Sequence, residues 1–322
     1  MVPKILTIGA SILLLTSCLG QPPKITNQQK YYCTDTISFS IDTNVISRDY
    51  NHLLCDVDVN GLKVGNVLID NGCRYMVLHS ELASLLDASF VPFDSSLWTS
   101  LDVRHGYCEG YLAQGLVFNI GHTAYAVDTV EISDRRSIFR KSNIRAIIGR
   151  DFFENYVVEL DFKNNIMIFG NQLPAKTDDY LAIPMEPCGG PHLTMLRVIK
   201  VDGFKQKNGR PMQARLCLDL GCGETSYDET FLHCVDQHFS QLDTTSMAYL
   251  VMNTIGVAID SVGFPCYYEE KSGKRVRTPG PSAKIIGESL KSDILLGNDF
   301  FRHFNVIFDY KNNMLYLKRN EQ

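Results

Sequence analysis

The sequence predicts an all-β protein made of two similar lobes related by internal duplication, with few and short helices. Apolar and polar residues alternate in short segments on either side of Asn-Gly pairs, which is the pattern of β-hairpins. Sequence motifs of the first half of the chain recur in the second half at a nearly constant distance. Of the 322 residues, 45% are apolar and 21% are charged, which excludes a disordered tail and a polytopic membrane protein.

Three blocks carry the duplication. They are an apolar strand that ends in Asp-x-Gly-Cys, the pattern apolar-apolar-Gly-x-Asp-Phe-Phe, and the pattern Asp-aromatic-Lys-Asn-Asn. The copies of the first block are 149 residues apart and those of the other two are 148 residues apart, so chance similarity does not explain them. The period is also too long for a solenoid. The copies lie at residues 67–73 and 216–222, 147–153 and 295–301, and 161–165 and 309–313.

Each lobe begins and ends with a predicted hairpin. The strands of the first lobe are predicted at 55–59 and 64–69 around Asn60-Gly61, and at 156–162 and 166–169. Those of the second lobe are predicted at 197–201 and 214–218, with a turn near Asn208-Gly209, and at 304–310 and 314–317.

Helices are predicted only in short pieces. One covers residues 79–86, after the first Asp-x-Gly motif, and the pattern Ser226-x-x-Glu229 resembles a capping box that opens another. Asp151 and Asp299 are expected to cap one helical turn each, before their Phe-Phe pairs.

The first residues have the pattern of an export signal. An apolar run at 5–15 follows Lys4, is too short to span a bilayer, and ends in Leu-Thr-Ser-Cys at Cys18. This order resembles a bacterial lipobox, which implies cleavage before Cys18 and lipid on that residue. The alternative is an ordinary signal peptide with an incidental cysteine. On the lipobox interpretation the protein is a lipid-anchored membrane protein of the bacterial cell envelope that faces the periplasm.

The predicted domain boundaries follow from these features. Proline and glycine are concentrated between the two lobes, which is typical of a linker. The prediction is a signal peptide at 1–17, a tether and N-terminal strand at 18–44, a first lobe at 45–172, a linker at 173–191 and a second lobe at 192–320.

Charge and cysteine patterns exclude other classes of function. The net charge is −5 and no long run of Lys or Arg occurs, so nucleic acid is not expected as a partner. The pattern His233-Cys234-x-x-x-His238 lacks the four-ligand spacing of zinc sites, and we expect no metal. Cys73 and Cys222 directly follow their Asp-x-Gly motifs, so they either pair across the lobes or remain buried thiols.

The repeated Asp-x-Gly motif is the candidate catalytic feature. A single aspartate after a buried strand is usually a turn residue, but two at matching places in duplicated lobes would meet at a pseudo-twofold axis. Asp70 and Asp219 would then share a proton, because two close carboxylates do not both ionise readily. One of them would activate a water molecule while the other polarises a carbonyl group.

These motifs, over about residues 45–320, resemble those of retropepsin-like and pepsin-like aspartic proteases, in particular exported bacterial members with two fused lobes. The resemblance implies closed-barrel lobes, a pseudo-symmetric monomer, peptide or protein substrates in the cleft between the lobes, and no metal or organic cofactor. It implies that Asp70 and Asp219 are catalytic. The implied active-site loops are Asn71, Gly72 and Cys73, and Leu220, Gly221 and Cys222, and the implied supporting strands contain Ile147, Ile148 and Gly149, and Leu295, Leu296 and Gly297.

Two positions depart from this family. The family has Thr or Ser between Asp and Gly, and that hydroxyl joins the two loops, whereas this chain has Asn71 and Leu220. Leu220 has no polar group with which to make such a bond. The sequence therefore leaves two hypotheses open, an aspartic endopeptidase and an inactive relative that binds peptides or envelope partners in the same cleft. The segments 106–111 and 255–264 are candidate flaps over the cleft, and the alternative for the first is a plain glycine turn.

Overall fold

β-Strands dominate the described part of the chain, and the helices with described bounds are only one or two turns long, which confirms the all-β prediction. The structure is a computed structural model. It describes residues 34–43, 51–86, 88–92, 111–133, 143–188, 196–223, 225–227, 231, 234, 267–271, 274–278 and 292–320.

The strands of the first half are β1 (Thr34–Ser38), β2 (Ser40–Ile41), β3 (Leu53–Val59), β4 (Leu62–Ile69), β5 (Met76–Leu78), β6 (Ser89–Pro92), β7 (Tyr111–Gln114), β8 (Leu116–Ile120), β9 (Thr123–Val127), β10 (Val130–Ile132), β11 (Ala146–Ile148), β12 (Val157–Asp161) and β13 (Ile166–Gly170). Those of the second half are β14 (Leu181–Pro184), β15 (Glu186–Pro187), β16 (Arg197–Lys205), β17 (Pro211–Leu218), β18 (Ser226–Tyr227), β19 (Tyr267–Lys271), β20 (Lys274–Thr278), β21 (Ile294–Leu296), β22 (Phe304–Asp309) and β23 (Met314–Arg319). The helices are α1 (Ser80–Ala83), α2 (Arg150–Asn155) and α3 (Asn298–Phe301).

Each lobe has its own sheet. In the first lobe the order is β6-β7-β10-β5-β11-β4-β3-β8-β9, with β2 paired to β3, and in the second it is β15-β16-β17-β21-β18. The duplication is visible in the pairing, because β11 runs parallel to β4 and β21 runs parallel to β17. These two parallel pairs place the ends of β4 and β17, and hence the two Asp-x-Gly loops, in equivalent positions.

A third sheet joins the two halves of the chain. Its order is β1-β13-β12-β22-β23-β14, so the last hairpins of both lobes lie side by side, and β12 pairs with β22. The predicted hairpin turns are confirmed, since Asn165 and Asn313 adopt positive φ angles of 55° and 51°. Residues 33–322 consequently form one compact unit.

The main hydrophobic core extends across both lobes. The phenylalanines of the repeated Phe-Phe pairs are fully buried and contact the rings of the shared sheet, as Phe153 does with Phe308 at 5.8 Å between ring centroids. Two smaller clusters lie apart from it, one in each lobe. Their equivalent members are Leu68, Cys73 and Ile147 in the first lobe and Cys217, Cys222 and Leu295 in the second.

The structure corrects several local predictions. The first helix covers 80–83 rather than 79–86, and His79 is its N-cap. Ser226 lies in strand β18 instead of opening a helix, because it pairs with Leu295. Asp151 and Asp299 lie inside the helical turns, whose N-caps are the glycines before them.

The predicted linker at 173–191 also contains regular structure. It supplies β14 to the shared sheet and β15 to the sheet of the second lobe. The side chains of Ile183 and Met185 are buried there. Pro184 and Pro187 end these two strands, and both strands lie at sheet edges, where proline is tolerated.

Candidate active site

Two equivalent strand ends position the candidate catalytic aspartates. Asp70 follows β4, and its backbone N–H donates to the carbonyl of Ile148 at 3.0 Å. Asp219 follows β17, and its N–H donates to the carbonyl of Leu296 at 3.1 Å. The strands β11 and β21 therefore bond to the backbone at the start of each loop.

A glycine follows each supporting strand, and the lack of a side chain at Gly149 lets the backbone of Tyr75 and Cys73 lie close to it. A Cβ atom on Gly149 would overlap the backbone carbonyl of Tyr75 and lie 3.0 Å from that of Cys73. Gly297 occupies the equivalent place, and its N–H donates to the hydroxyl of Thr225 at 3.2 Å. Ile147, Ile148, Leu295 and Leu296 are all buried.

Each loop orients its own carboxylate with backbone N–H groups. The N–H groups of Gly72 and Cys73 donate to Oδ1 of Asp70 at 2.8 and 3.1 Å. In the second loop the N–H of Gly221 donates to Oδ1 of Asp219 at 2.9 Å, and the thiol of Cys222 donates to Oδ2 at 3.4 Å. These bonds fix both carboxylates in defined directions.

The structure brings the two aspartates together. A Cβ atom on Gly221 would overlap the carboxylate of Asp70, and one on Gly72 would lie 2.8 Å from Oδ1 of Asp219. Each carboxylate thus lies against the glycine of the opposite loop, which leaves no room for a side chain there. The motif needs glycine at both positions for this reason.

Asn71 joins the two loops by hydrogen bonds. Its amide oxygen accepts from the backbone N–H of Leu220 at 2.7 Å, and its amide nitrogen donates to the carbonyl of Leu218 at 3.2 Å. These two groups flank Asp219 along the chain. The amide therefore acts as acceptor and donor toward the second loop, the double role that a hydroxyl has in the family pattern.

Leu220 has a different role. Its side chain is fully buried and belongs to the main hydrophobic core, while its carbonyl accepts from the amide nitrogen of Asn298 at 2.8 Å. The hydrogen bond between the loops comes from the opposite lobe, where the amide of Asn71 accepts from the backbone N–H of Leu220.

The two carboxylates have different electrostatic surroundings. Burial, and after it the neighbouring charge of Asp70, raise the pKa of Asp219 to about 7. The hydrogen bonds from Gly221 and Cys222 oppose this shift. Two carboxylates this close titrate as a pair, and the raised pKa of Asp219 favours one proton shared between them.

The thiols of Cys73 and Cys222 are reduced, so no disulfide ties the two loops. Burial raises the pKa of Cys222, and the nearby carboxylates add to this shift. Cys217 and Cys188 form a thiol–thiol hydrogen bond in the small cluster of the second lobe. Burial thus leaves Cys217 and Cys222 with little thiolate character, and both act as small apolar side chains.

Several predicted features lie outside the described residues, namely Cys18 with its signal sequence, His233, His238, the flap candidate at 255–264 and all but Tyr111 of the one at 106–111. Within the described ranges, no group of three or more His, Cys, Asp or Glu residues is placed to hold a metal ion. A search of the same ranges found no helix with the length and apolarity needed to cross a membrane.

Sequence reasoning missed the aromatic and cationic residues behind the loops. The hydroxyl of Tyr310 accepts from the amide nitrogen of Asn71 at 2.9 Å, and the guanidinium of Arg197 lies 4.7 Å from the ring centroid of Tyr310. The only signal in the sequence was a difference between copies of the third block, Phe162 in one and Tyr310 in the other.

Comparison with known proteins gives little beyond this geometry. No protein-family model matches the chain, and no curated protein is similar to it in sequence. Among solved structures, the crystal structure of Basic 7S globulin from soybean is a distant structural neighbour at 10% sequence identity and a TM-score of 0.48. The match covers 90% of this chain and 96% of that one. At this level of similarity, the function has to be argued from the two Asp-x-Gly loops.

Proposed function

We propose that this protein is an aspartic endopeptidase that hydrolyses peptide bonds in extended segments bound between its lobes. The observation that carries the proposal is the convergence of Asp70 and Asp219, each against the glycine of the opposite loop. A turn or capping role does not require this arrangement, because a turn aspartate serves only its own loop. A shared proton between two carboxylates is the arrangement that activates water in acid–base hydrolysis.

The two aspartates have distinct roles in this mechanism. Asp70 accepts two backbone N–H groups on Oδ1, which stabilises its ionised form and suits it to accept a proton from water. Asp219, whose pKa is raised to about 7, keeps a proton and donates it to the carbonyl oxygen of the peptide. Exclusion of water from the interlobe site strengthens the hydrogen bonds that hold Asp70 and keeps the pKa of Asp219 high.

The bonds change in two steps. The water oxygen adds to the carbonyl carbon as Asp70 takes one water proton and Asp219 gives its proton to the carbonyl oxygen, which yields a neutral gem-diol. Asp70 then protonates the amide nitrogen, the C–N bond breaks, and a gem-diol proton returns to Asp219. The products are a carboxylic acid and an amine, and no acyl-enzyme forms.

A second candidate function is peptide binding without hydrolysis, with the same cleft holding peptides or envelope partners. The observation that favours it is Leu220, whose buried side chain makes the link between the loops one-sided. On this hypothesis the two aspartates act as acceptors for the backbone or basic side chains of the bound segment.

The experiment is to incubate the chain from residue 19 with a mixed peptide library at pH 4–7 and to identify products by mass spectrometry. Asp70→Asn and Asp219→Asn remove one carboxylate each at nearly constant shape, and Asp56→Asn, at an exposed strand position, is the matched control. Cleavage by wild type and Asp56→Asn alone supports the protease. Cleavage that persists in either dyad variant refutes it. Binding of library peptides without any cleavage supports the second candidate.

We also propose that the mature chain is attached to the envelope membrane through lipid on Cys18 and functions as a monomer. The support is the lipobox-like order of residues before Cys18 and the presence of both aspartates in one chain. A two-lobed chain contains both halves of such a site and needs no second copy to complete it.

A further inference from the structure

We infer that Tyr310 is a positioning residue that holds Asn71, and through Asn71 the Asp219 loop, in the geometry needed for hydrolysis. The inference rests on the proposed function and extends it to a residue outside both Asp-x-Gly loops. Tyr310 is the first residue after β22, it is 4% exposed, and its hydroxyl lies 2.9 Å from the amide nitrogen of Asn71.

Both N–H donors of Asn71 are used in this arrangement. The side-chain amide has two N–H donors, and they go to the carbonyl of Leu218 and the hydroxyl of Tyr310. Its oxygen accepts from Leu220. Because Asn71 is completely buried, removal of the tyrosine hydroxyl would leave one N–H without a partner and allow the amide to move from its position.

Tyr310 is itself held from both lobes. The guanidinium of Arg197 lies over its ring at 4.7 Å, in the range of a cation–π interaction. The rings of Phe153 and Phe308 lie at 5.9 and 6.4 Å between centroids. The backbone of Arg197 pairs with Leu218, the residue before Asp219. These contacts hold the ring of Tyr310 in place, and its hydroxyl in turn holds the amide of Asn71.

The two lobes differ at the positions involved. The duplication relates Tyr310 to Phe162 and Asn71 to Leu220. The polar pair makes the hydrogen bonds between the loops, whereas Phe162 and Leu220 are both buried members of the main core. The polar pair and the apolar pair each take one residue from each lobe, and the hydroxyl of Tyr310 is the part of the polar link that the Asp-x-Gly motif does not contain.

The consequence for catalysis is positional. Leu218 and Leu220 are the neighbours of Asp219 on either side, so the amide of Asn71 sets the place of Asp219 relative to Asp70. When the amide moves, the carboxylates separate, and a small misplacement of catalytic groups lowers the rate strongly. Substrate binding along the cleft is not affected in the same way.

The test compares Tyr310→Phe with wild type, and Tyr316→Phe is the matched control on the same hairpin. Tyr310→Phe and Tyr316→Phe are each also made in an Asn71→Thr background. Threonine at 71 has a single O–H donor and no second donor for Tyr310. We expect Tyr310→Phe to lower kcat about tenfold and to leave KM nearly unchanged. The substitution removes one buried hydrogen bond, and only the chemical step depends on the position that this bond maintains. In the Asn71→Thr background the same change should have an effect of about twofold or less.

Two further readouts separate positioning from simple stability. The upper limb of the pH–rate profile should move to lower pH in Tyr310→Phe, because separated carboxylates repel each other less. The free energies of unfolding of the single and double variants form a cycle that should show coupling between residues 71 and 310. Additive unfolding energies, or an unchanged kcat and pH profile in Tyr310→Phe, would overturn the inference. If wild type cleaves no peptide, the proposed function fails, whereas the unfolding cycle still decides whether Tyr310 holds Asn71.

Discussion

The side-chain oxygen of Asn71 accepts a hydrogen bond from the backbone N–H of Leu220, across the boundary between the two lobes, at 2.7 Å. This bond explains how a chain with leucine in one Asp-x-Gly motif keeps its two loops together. An amide is longer than a hydroxyl and has a separate donor and acceptor, so one residue reaches both backbone groups beside Asp219. Leu220 is then free to fill the core.

Replacement of Leu220 by threonine tests this account. We expect Leu220→Thr to lower the free energy of unfolding by about 2–3 kcal/mol, because it removes buried methyl groups and buries a hydroxyl. The cleavage rate should not rise, since Asn71 already joins the loops. Leu220→Met, which keeps the volume and the apolar character, is the control and should cost less than about 1.5 kcal/mol. A faster Leu220→Thr enzyme would show that the one-sided link limits catalysis.

Asp151 gives a prediction about pH and stability. Burial raises its pKa to about 6, although the charge of Arg150 opposes the shift. The folded state thus binds the proton more tightly than the unfolded chain, whose value is near 3.8, and stability is lost as the pH rises from about 4 through 6. Urea titrations should show Asp151→Asn to be more stable than wild type at pH 7–8 and equal to it near pH 4.

Asp299 is the residue equivalent to Asp151 in the second copy of the repeat, and its substitution serves as the comparison in that experiment. It is also buried, but its Oδ1 accepts from the hydroxyl of Thr225 at 2.8 Å. Asp299→Asn keeps an oxygen that accepts this bond but removes the charge of the acceptor, so it should not stabilise the protein at neutral pH. Equal effects of the two substitutions would contradict the electrostatic interpretation of Asp151.

His303 titrates in the opposite sense. Burial lowers its pKa to about 4, and the charge of Arg302 contributes to the same shift. The folded state keeps the ring neutral while the unfolded chain takes up a proton below about 6.5, so stability falls as the pH falls from about 6.5 to 4. His303→Gln should flatten this part of the curve of unfolding free energy against pH. An unchanged slope would assign the acid sensitivity to other groups.

The membrane anchor is tested at Cys18. We expect Cys18→Ser to abolish labelling by a radioactive or clickable fatty acid and to move the protein from the membrane fraction to the soluble fraction. The order Leu-Thr-Ser-Cys at residues 15–18 motivates this prediction, because the thiol of Cys18 would be the site of lipid attachment. Full lipid labelling and membrane association in the variant would rule the anchor out.

Much of the fold could be predicted from the sequence because duplication makes weak signals additive. A single Asp-x-Gly motif is ambiguous. Its second copy lies 149 residues further along the chain, close to the 148 residues between Gly149 and Gly297, which indicated two lobes of the same fold. The structure places these residues at equivalent strand ends, with Asp70 and Asp219 bonded to the parallel strands behind them. Hairpin turns at Asn165 and Asn313 were predictable because asparagine tolerates positive φ angles.

Other features could not be predicted, since they depend on contacts between segments distant in sequence. Ser226 has the spacing of a capping box, but pairing with β21 overrides that local preference. The proline-rich segment before the second lobe has the composition of a linker, but the side chains of Ile183 and Met185 are buried in the fold. The partnership of Asn71 and Tyr310 joins residues 239 positions apart and has no local signature.

The pH dependence of peptide cleavage is the sharpest test of a catalytic pair formed by Asp70 and Asp219. The proposed mechanism uses an ionised Asp70 and a protonated Asp219, so kcat/KM should follow a bell-shaped curve. Its upper limb should fall near pH 7, where burial and the charge of Asp70 place the pKa of Asp219. The measurement uses one peptide substrate from the library across pH 3–9, with Asp56→Asn giving the same curve. A rate that stays constant or rises through pH 8–9 would contradict a shared proton between Asp70 and Asp219.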